Sequence, residues 1–483
     1  MTAQNLVIVM SDEHDPRFMG CAGHRARTPH MDAMAAEGLR FTAAYTPSPI
    51  CVPARAAFAT GRRVHQTRCW DNAMPYHGQM DGWGHALQRA GRRVESIGKL
   101  HYRAEEDPAG FDVEHIPMHV LGGHGMVWAS IRNPLVSQAE RPRPRMLGDY
   151  VGPGESAYTD YDRRVADRAV AWLEAAAAAA DRRPFVLYVG FVAPHFPLVC
   201  PQAFYELYDP DALPEPKLRP AEGHSRHPWI DEHSGFMDTE NQFRDAAERR
   251  AAVAAYHGLV SWLDHNLGRV RAALQTTGLS ASTRLIYASD HGDNVGARGL
   301  WGKSNMYEES VRVPLMICGP DVPQGECATP VDLLDLHPTL LRAAGVEAEG
   351  DGRPGRDLMA IAAAPFDAAR AIFSEYHAAG SNSAAYMIRK GRWKLIEYVG
   401  HAPELFDLDA DPEETTNRAA DPACAAKLAE LRAELAAICD PEATDAAAKA
   451  DQAALIERHG GRAAAARMGA PGATPPPSAA GGG

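Results

Sequence analysis

No stretch of the 483-residue chain stays apolar for the roughly 20 residues a membrane helix needs, so no membrane partner is expected. Positive charge is in deficit: 49 Lys and Arg face 62 Asp and Glu, a formal net charge of −13. That balance argues against nucleic acid and anionic lipid as partners. It leaves room for a small anionic substrate, which needs no more than a local basic cluster. Cysteine pairing patterns are missing too. The eight cysteines (21, 51, 69, 200, 318, 327, 424 and 439) show no CxxC or other metal spacing, and read as reduced thiols rather than a disulfide framework. A basic leader is absent: Met1-Thr2-Ala3-Gln4 runs straight into apolar Leu6–Met10 with no small-residue cleavage site. The expectation is a cytoplasmic protein without a signal peptide.

What is present is globular: 45% hydrophobic and 23% charged residues. The length suits two to four domains or one large α/β enzyme. Strand-like runs at Leu6–Met10, Val94–Ile97, Phe185–Phe191, Arg284–Ala288 and Val313–Ile317 alternate with helical patterns at Met31–Glu37, after Pro53, at Gly82–Ala90, Tyr161–Ala180 and Arg244–Thr277. This alternation predicts an α/β fold with a large, mainly parallel mixed sheet flanked by helices. Near Ala363–Phe366 the pattern changes to short strands at Ile372-Phe373, Ala385–Arg389 and Trp393–Glu397, then Glu404–Leu408 and a helix near Ala425–Ile438. Residues 1–365 are thus expected to form the catalytic α/β unit and 366–442 a small C-terminal antiparallel α+β subdomain. The tail, 443–483, is helical and then rich in Pro and Gly. It cannot build a core of its own and is expected to be flexible, or an arm packed on a neighbouring subunit of a homo-oligomer.

In such sheets ligands gather at the carboxyl ends of strands, and the polar residues there form a pattern. Cys51-Val52-Pro53-Ala54-Arg55 precedes Ala56-Ala57-Phe58-Ala59-Thr60-Gly61-Arg62. Pro53 suits the first turn of a helix. Cys51 then sits at the helix N-terminus, where free N–H groups and the dipole favour negative charge, with Arg55 one turn on. A bare cysteine before a helix is usually a packed core thiol. Here the whole run resembles the signature of the sulfatase family, in which the cysteine is oxidised after synthesis to formylglycine. The resemblance implies an alkaline-phosphatase-like fold, a formylglycine nucleophile made from Cys51, and a formylglycine-generating enzyme as maturation partner.

The strand Leu6–Met10 ends in Ser11-Asp12-Glu13-His14, and Arg284–Ala288 ends in Ser289-Asp290-His291-Gly292-Asp293. Two strand ends that bring acidic residues to one sheet edge suit a divalent cation. The resemblance assigns Asp12, Glu13, Asp290, His291 and modified Cys51 as ligands of one metal ion. Many calcium sulfatases carry Asn where this chain has His291, and an imidazole ligand favours Mn²⁺, with Ca²⁺ or Mg²⁺ as the fallback. Asp293 reads as a turn residue.

Gly98-Lys99-Leu100-His101, Pro194-His195-Phe196-Pro197 and Trp301-Gly302-Lys303 match the family's remaining motifs. They imply a catalytic set of Cys51, Arg55, Lys99, His101, His195 and Lys303, with Asn72 and His14 as candidate substrate contacts. In the implied mechanism the hydrated formylglycine attacks sulfur and forms a covalent sulfo-enzyme intermediate, with Asp290 or a neighbour taking the proton. Arg55, Lys99 and Lys303 neutralise the non-bridging oxygens, His195 with Lys303 protonates the departing alcohol, and His101 assists release of sulfate. The expected substrate is a small anionic sulfate monoester. A phosphonate monoester or phosphodiester hydrolase is the alternative that His291 favours; an unmodified, inactive anion- or metal-binding homologue is the third reading. Selectivity is expected in 72–78, 103–135 and 201–239, the middle one a substrate-covering loop.

Overall fold

The computed structural model describes residues 5–137, 139–140, 147, 149–180, 183–347, 350, 352–470 and 472–478. Its main sheet has eight strands, in the spatial order Gly325–Cys327, Leu39–Phe41, Leu315–Cys318, Thr283–Ser289, Asn5–Asp12, Phe185–Pro194, Arg93–Lys99 and Val113–Met118. The last five are mutually parallel, and Leu315–Cys318 runs antiparallel to both of its neighbours. The central strand is buried along its whole length. Its unbroken run Leu6-Val7-Ile8-Val9-Met10 is what a strand covered on both faces requires. One face packs on Ala157–Ala178 and Ala246–Thr276, whose Trp172, Leu173, Leu263 and Leu267 meet Val7, Val9 and Leu187. The other packs on helices Cys51–Thr60, Trp83–Arg89 and Leu336–Ala343 through Phe58, Leu87 and Leu340.

The five long strand expectations all appear, and helices cover each expected helical segment. The region 103–135, read as a covering loop, contributes Val113–Met118 as an edge strand as well as the turns that follow it. Residues 366–442 hold a four-stranded antiparallel sheet (Ala371–Tyr376, Ala385–Lys390, Trp393–Tyr398 and Glu404–Asp407) with the helix Ala425–Ile438 against it. Ile372, Tyr376 and Ile396 of this sheet share a hydrophobic cluster with Tyr45, Ile50 and Tyr307 of the large unit. Fully buried Lys394 fastens the two, its Nζ 2.9 Å from Glu308 Oε1 and 2.7 Å from Glu414 Oε1.

The tail departs from expectation. After helix Pro441–Arg458 and the turn Arg462–Ala465, the chain runs back over its own large unit instead of standing free. Asp445 pairs with buried Arg132, and Gln452 donates to Asp71. Residues 479–483, part of the expected Pro/Gly-rich end, lie outside the described residues.

Candidate active site

Four adjacent parallel strands deliver the site. Thr283–Ser289, Asn5–Asp12, Phe185–Pro194 and Arg93–Lys99 all stop at one edge, and their ends carry Asp290 and His291, Asp12, His195, and Lys99. The helix Cys51–Thr60 points its N-terminus at that edge, with every residue of it buried. Gly61 closes the helix at φ 66°, the left-handed conformation that glycine adopts without strain. Asn72 caps it from outside, its Oδ1 accepting from the Val52 N–H at 3.1 Å, and also lines the cavity above.

Asp12, Cys51, Asp290 and His291 each place one ligand atom within 4.8 Å of the others. Cys51 Sγ lies 3.3 Å from His291 Nε2 and 3.6 Å from Asp12 Oδ1. His291 Nδ1–H donates to the Gly292 carbonyl at 3.1 Å, so the Nε2 lone pair faces the two carboxylates. Burial lowers this imidazole to about 4, which keeps it neutral and able to ligate. The donor set of two carboxylates and one imidazole therefore fits a divalent cation. Glu13 stands apart from that cluster and groups instead with Asp12 and His195. Its Oε2 is 3.0 Å from Lys303 Nζ and 3.3 Å from His195 Nε2, while Oε1 is buried without a partner. A bound cation would satisfy such an oxygen. Burial, only partly offset by Lys303, pushes the Glu13 carboxyl well above its usual range.

The cations form a second layer. Lys99 Nζ is ion-paired with Asp12 Oδ2, and Lys303 Nζ lies 4.0 Å from Asp12 Oδ1. Burial alone would raise Asp12, but Lys99, His195, Lys303 and Arg55 outweigh it and hold the carboxyl well below its usual range. Burial opposes the charge on Lys303, yet its acidic neighbours, the ionised Asp12 among them, keep its ammonium more firmly protonated than usual. Arg55 does not reach the anion position expected of it. Nε donates to Asp290 Oδ2 (2.7 Å), Nη1 to Lys99 O (3.0 Å) and Tyr188 Oη (2.8 Å), and Nη2 to Ser11 O and Asp12 Oδ2 (both 3.3 Å). A guanidinium has five N–H donors, so all of them are taken by protein. Arg55 organises the carboxylates from behind and is not a lining residue of the cavity.

His195 donates from Nδ1 to the Phe196 carbonyl at 2.6 Å, which turns Nε2 toward Glu13 and Asp12. His101 sits in a left-handed backbone conformation at φ 59°. Its Nε2 is 2.8 Å from Thr474 Oγ1, and its Nδ1 is buried without a partner. Burial, with Lys99 next, holds it well below the ordinary histidine value. His14, a candidate substrate contact, is instead turned into the core. Its Nδ1 meets Tyr287 Oη at 2.6 Å, its Nε2 lies 3.5 Å from the Phe18 carbonyl, and burial lowers it to about 4. Asp293 accepts from the Val295 and Gly302 N–H groups and shapes the loop leading to Lys303.

The cavity over these groups has a volume of about 50 Å³. Cys51, Asn72, Lys99, His101, His195 and Lys303 line its polar side, and Met126, Trp128, Phe196, Met237 and Trp301 its apolar side. Sequence reading missed Tyr158 and Thr474, which also line it. Tyr158 stands on an ordinary helix face and Thr474 in a proline-rich run, so neither carried a local signal.

The sulfatase family model matches residues 4–346, and that of the N-sulphoglucosamine sulphohydrolase C-terminal region matches residues 296–440. The chain is 34% identical over 471 residues to a choline-sulfatase of Rhizobium meliloti (strain 1021), covering 93% of this chain and 89% of that protein. It is 30% identical to arylsulfatase K of Bos taurus, covering 86% and 78% of the two chains. Among solved structures it is similar to the phosphonate monoester hydrolase SpPMH from Silicibacter pomeroyi, with a TM-score of 0.72, 25% identity, and 89% and 94% of the two chains covered.

Proposed function

The chain belongs to the sulfatase family, and from that premise we propose that it hydrolyses a small sulfate monoester with formylglycine at position 51 and one divalent cation. The observation that carries this reading is the convergence on Cys51. Asp12, Asp290 and His291 offer a cation site on one side, and Lys99 and Lys303 bring two ammonium groups to the same edge. Asp12, Asp290, His291 and the group at position 51 would hold the ion, with Mn²⁺ favoured by the imidazole. Bound there, the ion would supply positive charge to the transferred anion and would acidify a neighbouring hydroxyl. Formylglycine at position 51, once hydrated, would supply two hydroxyls, one as the nucleophile and one to help release sulfate.

The chain's own residues do the rest. The N-terminus of helix Cys51–Thr60 aims its dipole at the transferred anion. Lys99 and Lys303 are fixed by ion pairs in a water-poor site, where preorganised charge stabilises a transition state most strongly. His195 Nε2 faces the site because the Nδ1–H is spent on the Phe196 carbonyl; burial, then Lys303, hold the ring well below the ordinary histidine value, so it protonates the departing oxygen only as a transient imidazolium. Arg55 pairs with both Asp12 and Asp290 and holds the two carboxylates in place. None of the eight cysteine positions is paired in a disulfide, in keeping with the proposed reducing, cytoplasmic location.

A phosphonate monoester reading is favoured by His291 at the last cation position and by the likeness to a phosphonate monoester hydrolase. One experiment tests both. The protein is made beside a formylglycine-generating enzyme, conversion at position 51 is measured by peptide mass spectrometry, and kcat/KM is compared for an aryl sulfate and an aryl phosphonate with Mn²⁺ present. The expected result is a converted residue and a higher value for the sulfate. A higher value for the phosphonate reverses the substrate assignment, and an unmodified thiol supports the binding-protein reading.

A further inference from the structure

The Pro/Gly-rich tail crosses directly over the cavity. Trp128 donates its indole N–H to the Ala470 carbonyl at 2.9 Å, Tyr158 its hydroxyl to the Thr474 carbonyl at 2.6 Å, and Arg164 a guanidinium N–H to the Pro477 carbonyl at 2.9 Å. Ala470 is fully buried, and Ala473 packs against the clusters around Phe191 and Phe196. Gly469 passes so close to Gly125 that a Cβ would lie 1.8 Å from the Gly125 carbonyl oxygen, and its φ is +99°. Glycine is therefore required there. The run Pro475-Pro476-Pro477 is stiff and already extended before it docks, which lowers the entropy lost on ordering it. A tail without a core of its own is held by anchors on two different elements of the catalytic unit.

Two features tie this segment to the chemistry. Gly472, Ala473 and Thr474 line the same cavity as Cys51, Lys99 and His195. The Thr474 hydroxyl meets His101 Nε2 at 2.8 Å, and that imidazole has no partner on its other nitrogen. Thr474 is therefore the sole hydrogen-bond partner of the His101 ring among the described residues. The segment leaves a cavity of about 50 Å³ over these groups.

We propose that residues 472–477 are the roof of the active site and that Thr474 is the positioning residue of His101. Resting on the sulfatase reading, the roof lifts to admit the ester and reseats over compact alcohols, excluding water while sulfate is transferred. Its apolar lining of Met126, Trp128, Met237 and Trp301 favours a small leaving group over one that belongs to a sugar chain.

Position and catalysis are tested separately. In protein left unconverted at position 51, alkylation of Cys51 is followed by peptide mass spectrometry in the full chain and in a chain ended after Ala470. Buried Cys69 serves as the internal reference. The shortened chain is expected to expose Cys51 and speed its alkylation about tenfold or more at unchanged Cys69, since modification of a covered group follows the opening of its cover. An unchanged rate overturns the roof. Should the shortened chain aggregate, Tyr158→Phe, which removes one anchor, makes the same comparison. In converted enzyme, Thr474→Val is expected to lower kcat about tenfold with KM within about twofold, and Thr474→Ser to restore it. A wild-type kcat for Thr474→Val overturns the positioning role. Faster turnover of every ester by the shortened chain overturns the roof's catalytic part and marks the tail as a plug. If no converted protein turns over any ester, the function reading fails while the alkylation result still stands.

Discussion

Replacing Arg55 by Met removes one charge and five donors from a place that is 1% exposed. Its partners Asp12 and Asp290 are both at 0%, and Asp290 Oδ2 accepts from the Arg55 Nε–H at 2.7 Å. Lys99 remains beside Asp12, so the loss falls chiefly on Asp290. Leaving one member of a buried ion pair uncompensated costs about 3–5 kcal/mol. With an unfolding entropy of roughly 2 cal/mol/K per residue, a 483-residue chain shifts its midpoint by about 1 °C per kcal/mol. Arg55→Met should therefore melt about 3–5 °C below wild type in chelator. A divalent cation neutralises the same carboxylates, so the gap should narrow when Mn²⁺ is added. Arg55→Lys keeps the charge but loses the five-donor fork, and should fall between the two. Calorimetry of the three proteins, with and without Mn²⁺, reads all of this. An Arg55→Met midpoint within about 1 °C of wild type in chelator would refute the claim that this guanidinium compensates the carboxylates.

Two further predictions address chemistry and pH. His195→Ala should lower kcat on an alkyl sulfate by about 10²–10⁴, with a far smaller loss on a nitrophenyl sulfate, whose leaving group needs no proton. Equal losses on both esters would remove His195 from the proton-donor role. Burial would raise the Glu375 carboxyl, but hydrogen bonds from His377 (3.0 Å) and His65 (2.9 Å) bring it down to about 2. A depressed carboxylate stabilises the fold fully above its ordinary pKa of about 4.5 and loses that contribution as pH falls toward 2; at 1.36 kcal/mol per unit it amounts to roughly 3 kcal/mol. Glu375→Gln should thus be less stable than wild type in urea at pH 7, with the gap closing on acidification below pH ~4. A gap of constant size would contradict the assignment.

The ends of the parallel strands were legible because apolar runs mark the strands and polar residues follow each of them. Asp12, Lys99, His195, Asp290 and His291 all lie on one sheet edge, and a helix N-terminus brings Cys51 there. Side-chain direction was less legible. His14 follows the central strand in the same short segment as Asp12, yet Tyr287 of the neighbouring strand draws it into the core. The spacing of Arg55 placed it near Cys51, but whether its donors are free depends on Tyr188 and the Lys99 carbonyl, from two other strands. The path of the tail carried no periodic signal at all. Its anchors, Trp128, Tyr158 and Arg164, come from segments more than 300 residues earlier, and long-range packing of that kind leaves no mark on local sequence.

The neutrality of Cys51 has a practical consequence. Burial, and the Asp12 carboxylate next to it, push the thiol up to about 12, so in the metal-free protein the sulfur carries no charge at neutral pH. An aldehyde or its hydrate is uncharged as well. Arg55, the strand-end carboxylates and the helix above them therefore meet the same electrostatic surroundings before and after oxidation. Free of metal, matured and unmatured molecules should elute together on ion exchange, so a well-behaved preparation reports nothing about its titre of working sites. Turnover numbers for this protein acquire meaning only when divided by the fraction of residue 51 that has been converted.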